Sequence, residues 1–282
     1  MGCCVSRVLL SWGIRSISFL DNAKLSLSNP IRQCLYTSHD LESKQYKAVL
    51  ASKSIQQINP SIKTTNMVYS ILIPENESVE YVHSLDFLTH FLDFCLFIDK
   101  HDVVFLLTDT RESRYLPSLL CCLSNKLCIN IALGIDSLVV MRYGEGKREG
   151  TENISLYDFF YDSVIAQYPS LKESYPSPKT QYIYSTNELP VNDKNAHLLS
   201  VNRPNSSCYF CSDIESPTDS SSFKTMDESC TISRGGLAYI ASGFGVELYI
   251  SLLHRKQEAS SSNQNASEQK EMTDLGEIPH QV

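Results

Sequence analysis

An α/β fold, doubly wound around a mostly parallel sheet, is what the sequence predicts, and three observations carry it. Short apolar runs end in polar or acidic residues: 16–20 before Asp21, 103–107 before Thr108 and Asp109, and 127–133. Stretches of helical periodicity lie between these runs, which is the pattern of strands covered on both faces by helices. The chain has 282 residues, 42% of them apolar, enough for one large domain or two modest ones to bury a core.

In order along the chain, Val5, Val8, Leu9 and Trp12 recur at helical spacing over residues 2–13, and Gly13 is placed to end that helix. Residues 16–20 read as a buried strand. After a polar loop through Asn29 and Pro30, a helix runs from Tyr46 to Gln57 and stops before Pro60, and residues 62–74 read as a strand. Tyr81, Leu85, Leu88, Phe91 and Phe97 give residues 78–99 the look of a helix packed on a sheet face. A strand at 103–107, a helix at 116–123 and strands at 127–133 and 137–142 follow. From 145 to 228 the pattern loosens into runs such as SPTDSSS, which reads as loop-rich insertion and not as a second core. An amphipathic helix is expected from Thr231 to His254, and the SSSNQNASEQKE tail reads as disordered.

Charge and cysteine content narrow the function classes. With 24 Lys plus Arg against 32 Asp plus Glu, a formal charge of −8 argues against a broad nucleic-acid face. No stretch reaches the roughly 20 apolar residues of a membrane span, and the N-terminus lacks a signal peptide's pattern, so a cytoplasmic protein is expected. Of ten cysteines, Cys3, Cys4, Cys34, Cys95, Cys121, Cys122 and Cys128 sit in apolar or mixed runs, and most of them read as reduced core residues. Cys208, Cys211 and Cys230 stand in a polar region, where packing gives less reason for cysteine. The opening MGCCVS matches a myristoylation pattern at Gly2 with neighbouring cysteines open to palmitoylation. A rival reading places Gly2 inside a nucleotide-binding turn.

That rival has its own logic. A helix from Gly2 and a strand ending at Asp21 form the back half of a dinucleotide-type unit, with phosphate at the helix N-terminus and the acid on a ribose. Its first strand and two earlier glycines are missing from the chain, and Asp21 serves equally as a turn aspartate. Taken alone, Arg32 and Lys47 pass as solvated charges, Asn29 and Gln33 as loop residues, and Asp109 as a helix N-cap. Cys208 and Cys211 form a C-x-x-C pair, half of a tetrahedral zinc site, and the isolated His254 and His280 do not complete it. Cys230 stands before a helix expected to begin near Thr231. There the positive end of the dipole, with Arg234 one turn along, would stabilise a thiolate.

The blocks SNPIRQ, DTRESR, ALGIDSLVVMR, CYFCSD and CTISR, in this order, resemble the enzymes of autophagy that activate ubiquitin-like modifiers. The resemblance covers residues 2–254 and returns at LGEIPHQV. It implies a ThiF-type, Rossmann-like adenylation domain, lacking its first strand and cut short at both ends. A nucleotide-binding part would span 1–144, a loop-rich insertion and crossover 145–229, the catalytic-cysteine helix 230–256 and a tail 257–282. It further implies ATP and Mg²⁺ as cofactors: Asp21 on the ribose, Arg32 and Lys47 on the triphosphate, Asn29, Gln33 and Gly2 beside the nucleotide, and Asp109 near the metal and the α-phosphate. Cys230 would carry the modifier as a thioester, and Cys208 with Cys211 would supply half of a Zn²⁺ site.

The partners implied are autophagy ubiquitin-like modifiers, their conjugating enzymes and a second copy in a homodimer, in the cytoplasm at the preautophagosomal structure. One departure stands out. The family continues its cysteine motif with proline, whereas here Gly235 and Gly236 follow, which is expected to loosen the helix start. Two other classes compete: a non-catalytic fragment that dimerises with a full-length enzyme or holds the modifier, and a lipid-anchored protein using Gly2, Cys3 and Cys4.

Overall fold

A computed structural model describes residues 1–71, 84–144, 155–175, 208–212 and 233–262. It divides into two compact units, one of Met1–Ile71, Asn130–Met141 and Thr225–Val282, the other of Leu72–Ile129 and Arg142–Lys224. In chain order the elements are α1 (Gly2–Ser11), β1 (Ser16–Leu20), α2 (Asn29–Arg32), α3 (Lys47–Ile58), β2 (Lys63–Met67), α4 (Leu85–Asp99), β3 (Val103–Leu106), α5 (Glu112–Leu123), β4 (Leu127–Leu133), β5 (Leu138–Tyr143), α6 (Leu156–Gln167), α7 (Tyr209–Ser212) and α8 (Leu237–Ser262).

In the first unit, α1 turns Cys3, Cys4, Val5, Ser6 and Leu9 inward. Gly13, at φ +79°, then redirects the chain through a conformation that other residues adopt only with strain. β1 and β2 pair in parallel, from Ser16 opposite Lys63 to Leu20 opposite Met67. Such a pair requires a long crossover. The crossover contains α3, which packs on both strands and buries Ala48, Leu50, Ala51 and Ile55. Of the strand expected at 62–74, Lys63–Met67 forms, 68–71 do not continue it, and 72–74 lie outside the described residues. It is held by the ladder, by the Ser18 Oγ to Thr65 Oγ1 contact at 2.6 Å and by Ser52 Oγ donating to Thr64 Oγ1 at 2.8 Å.

α8 amends the expectation that nothing approaches a membrane span: Leu237–His254 is long and apolar enough to cross one. Yet Ala241, Val246, Ile250 and Leu252 are buried within the unit, and the helix packs along α1. Trp12 Nε1 donates to Glu247 Oε1 at 2.7 Å and the Trp12 ring meets His254 edge-on. These contacts seat one face of the helix against α1 and give His254 a packing role, while Tyr239, Ile240 and Phe244 stay exposed.

In the second unit, α4 opens on Ser84, whose Oγ accepts from the Phe87 N–H at 3.2 Å. The stretch at 145–228, read as loop-rich, contains the helices α6 and α7 in its described part. α6 packs on α4, and Leu92, Tyr157, Tyr161, Val164, Leu171 and Tyr175 share one buried cluster. The tyrosines there are core residues whose hydroxyls need partners, and Tyr175 donates to Asp93 Oδ1 at 2.9 Å. Asp99, at the end of α4, receives the first turn of α6: it accepts from Ser155 Oγ and from the N–H groups of Leu156 and Tyr157. Lys126, itself buried, donates to the carbonyls of Asp99 and His101 and so closes the exposed end of α4.

α5 begins at Glu112, one turn before the expected Leu116, and carries Pro117 in its interior. A proline invites a helix start at itself. Here the buried Ser113, whose Oγ donates to the Thr110 carbonyl at 2.8 Å, anchors the earlier turn. β3, β4 and β5 form a second sheet in that order. A connection as short as 134–137, closed by Gly134 N–H on the Ser137 carbonyl at 2.9 Å, joins only antiparallel strands, so β4 and β5 depart from the parallel rule.

Beyond β5, Gly144 sits at φ +67°, and a Cβ there would lie 2.2 Å from the Lys126 carbonyl oxygen. Gly144→Ala is therefore expected to destabilise the unit by about 2 kcal/mol or more, combining left-handed strain with a backbone clash. A urea midpoint within error of the wild type would contradict this.

Candidate nucleotide site

The end of β1 places Asp21 where α3 begins. Asp21 Oδ1 accepts from the Ala23 N–H at 2.7 Å, and Oδ2 lies 3.3 Å from Lys47 Nζ. The loop is tied a second time, since the Lys47 N–H donates to the Ala23 carbonyl at 2.9 Å. Tyr36 Oη donates to the Lys47 carbonyl at 3.0 Å, which fixes the backbone from the other side. Asp21 is thus both the turn aspartate and an ion-pair partner. Its side chain is 38% exposed and that of Lys47 20%, so the pair is open to solvent and to a ligand.

Lys47 is the first residue of α3. A cation at a helix N-terminus opposes the macrodipole, whereas an anion there is favoured both by the dipole and by the free N–H groups. The site therefore concentrates positive potential beside one carboxylate. Asn29 is buried at the start of α2, and its Oδ1 accepts from the Ser26 N–H at 2.9 Å. This bond shapes the loop that presents Arg32, exposed in the last turn of α2, and the half-buried Gln33 that caps it. Gly2, half-buried, opens α1.

The second unit holds Asp109, exposed in the loop after β3. The N-cap of α5 is Arg111, so Asp109 does not cap that helix. Its neighbouring peptide is held, because Arg114 donates from Nε and Nη2 to the Thr108 carbonyl at 3.3 and 2.9 Å.

Cys230 lies outside the described residues. Arg234 is exposed, and its N–H donates to the Ile135 carbonyl at 2.9 Å. α8 begins at Leu237, not near Thr231, with Gly235 and Gly236 in a turn before it. Arg234 therefore precedes the helix instead of standing one turn inside it. The physical reason is the glycine pair, whose backbone freedom disfavours a helical first turn.

Cys208 and Cys211 bring their sulfurs to 3.8 Å. Two thiolates on one tetrahedral zinc, with Zn–S bonds of about 2.3 Å, stand about that far apart. The pair fits half a zinc site, and among the described residues no group of three or more His, Cys, Asp or Glu completes one.

Sequence reasoning missed a cysteine cluster beside this loop. Cys3 and Cys4 are only 5% and 3% exposed, which places their thiols inside the unit and counts against acylation there. Cys34 is exposed. A hydrogen bond from the Cys4 thiol, aided by the charge of Arg7, lowers the Cys34 thiol to about 6, while Cys4 is pushed up by the same bond and by burial. The only sequence signal was position, directly after Gln33. Because the thiolate is the nucleophile, iodoacetamide should label Cys34 first at pH 7.5, at a rate that falls only as pH drops through about 6. A labelling rate still rising tenfold per pH unit between 7 and 8 would show an ordinary thiol instead.

The chain belongs to the ThiF family, whose pattern matches residues 1–280. More particularly, it is 35% identical over 303 residues to the ubiquitin-like modifier-activating enzyme ATG7 of Homo sapiens, covering 100% of this chain and 37% of that protein. It is 34% identical over 290 residues to atg7 of Dictyostelium discoideum and 35% identical over 283 residues to ATG7 of Saccharomyces cerevisiae (strain ATCC 204508 / S288c), covering 35% and 34% of those proteins. The chain thus spans about a third of the length of these relatives. A solved structure of E. coli MccB with AMPCPP and SeMet MccA shares 19% identity at a TM-score of 0.39, covering 64% of this chain and 46% of that one.

Proposed function

We propose that this chain is the adenylation part of an enzyme that activates ubiquitin-like modifiers in autophagy. The observation that carries the reading is the Asp21–Lys47 pair at the start of α3, a carboxylate suited to ribose hydroxyls beside a cation and a helix N-terminus suited to phosphate. In the first step an oxygen of the modifier's C-terminal carboxylate bonds to the α-phosphorus of ATP. The bond from that phosphorus to the bridging oxygen breaks, and pyrophosphate leaves. The Cys230 thiolate then bonds to the acyl carbon and AMP leaves, giving a thioester that passes to the thiol of a conjugating enzyme. Lys47 and Arg32 offset triphosphate charge, Asp21 holds the ribose, and Asn29 and Gln33 shape the loop against it. Asp109 would hold Mg²⁺, a hard cation suited to carboxylate oxygen, which supplies charge neutralisation on the phosphates when bound.

Zn²⁺ at Cys208 and Cys211, with further ligands from elsewhere, belongs to the same reading. So do a cytoplasmic location at the preautophagosomal structure and a homodimer. Large apolar side chains exposed on the first unit, among them Leu27, Ile31 and Phe244, support a second copy as their cover.

The test is modifier-dependent exchange of radiolabelled pyrophosphate into ATP. Exchange that requires an autophagy ubiquitin-like modifier supports adenylation. Its absence, under conditions where a relative of full length works, would replace this reading with a non-catalytic partner.

A further inference from the structure

Thr108 and Asp109 share one peptide bond, and the carbonyl of that peptide is gripped by two N–H groups of Arg114, from Nε at 3.3 Å and Nη2 at 2.9 Å. A guanidinium is a planar fork, so the direction of one edge sets the direction of the other. The remaining edge is occupied: Arg114 Nη1 donates to Tyr209 Oη at 3.3 Å, with the guanidinium carbon 5.7 Å from the Tyr209 ring centroid.

Tyr209 is in turn held from several sides. Its N–H donates to Ser118 Oγ at 3.1 Å, and Ser118 is fully buried with its own hydroxyl donating to the Tyr115 carbonyl at 3.0 Å. The ring meets Tyr115 edge-on at 5.2 Å and Tyr143 edge-on at 6.2 Å. A rigid phenol therefore orients the fork, and the fork orients the peptide that leads into Asp109. Cys208 and Cys211 flank this phenol, so its placement is also tied to the C-x-x-C pair.

We propose that Tyr209 is a positioning residue that, through Arg114, holds the Thr108–Asp109 peptide in its working orientation. Its catalytic consequence rests on the reading of Asp109 given above. Removing the phenol oxygen leaves the ring packing but frees one edge of the guanidinium, and a small misplacement of a catalytic group costs rate more than binding.

The experiment compares wild type with Tyr209→Phe and Arg114→Lys in the full chain. Amide hydrogen exchange over residues 108–112 needs no activity, and pyrophosphate exchange gives kcat and KM for ATP. Tyr209→Phe should raise amide exchange in that segment and lower kcat roughly tenfold, with KM for ATP within about twofold, because the groups around Asp21 and Lys47 are untouched. Arg114→Lys, which keeps the charge but loses the fork, should do the same more strongly. Unchanged amide exchange in Tyr209→Phe overturns the proposal, as does a variant whose KM rises while kcat holds. Faster amide exchange in a protein that shows no pyrophosphate exchange even as wild type upholds the Tyr209–Arg114 link and removes the adenylation reading instead.

Discussion

Cys230→Ser is expected to abolish the reductant-sensitive adduct with the modifier and to replace it by one that survives dithiothreitol. A thioester carbonyl gains little resonance from sulfur and is exchanged readily by thiols, whereas an oxygen ester resists them. Serine is also a weak nucleophile at its ordinary pKa, so the ester should form slowly and persist. In the proposed reaction adenylation precedes the cysteine step, so modifier-dependent pyrophosphate exchange should stay within about threefold of wild type. Cys230→Ala should give no adduct and the same exchange. An adduct in Cys230→Ser that is still cleaved by reductant would place the nucleophile on another cysteine, and the low thiol of Cys34 makes it the first to examine.

Lys47→Ala should lower pyrophosphate exchange by about 10²-fold, the range found when one preorganised donor to a developing charge is removed. Its effect on stability should be small. The Asp21–Lys47 pair is partly exposed, and such pairs contribute about 0–1 kcal/mol, which solvent screening reduces further. Asp21 also keeps its bond from the Ala23 N–H when the lysine is gone. A large loss of activity with a nearly unchanged thermal midpoint would mark Lys47 as a ligand-binding cation. A loss of both together would mark it as a structural tie. Asp21→Asn should act differently, raising KM for ATP more than it lowers kcat, since the ribose contacts proposed for it would be made equally in the ground and transition states.

How much of this was legible beforehand depended on the range over which each feature is decided. β1 ends at Leu20, immediately before Asp21, and α3 spans Lys47–Ile58, both close to the expected bounds, because apolar periodicity and the stop at Pro60 are local signals. The α6 helix was hidden because its apolar face is built largely from tyrosine and phenylalanine, whose polar or bulky character blurred the period until α4 supplied a surface for them. α8 starts at Leu237, six residues beyond Thr231, because the glycine pair at 235 and 236 disfavours a helical first turn although it stands in plain view in the sequence.

The sequence by itself determined the α/β class, the order of elements and the SNPIRQ and CYFCSD blocks, since these depend on residues within a turn or two of one another. Only the tertiary structure decided that Asp21 meets Lys47, that Cys4 tunes Cys34 and that Tyr209 reaches Arg114 across 95 residues of chain. Such pairings follow from how helices pack on strands and on one another, which no local pattern encodes. The side-chain directions that create the site are set at that last stage.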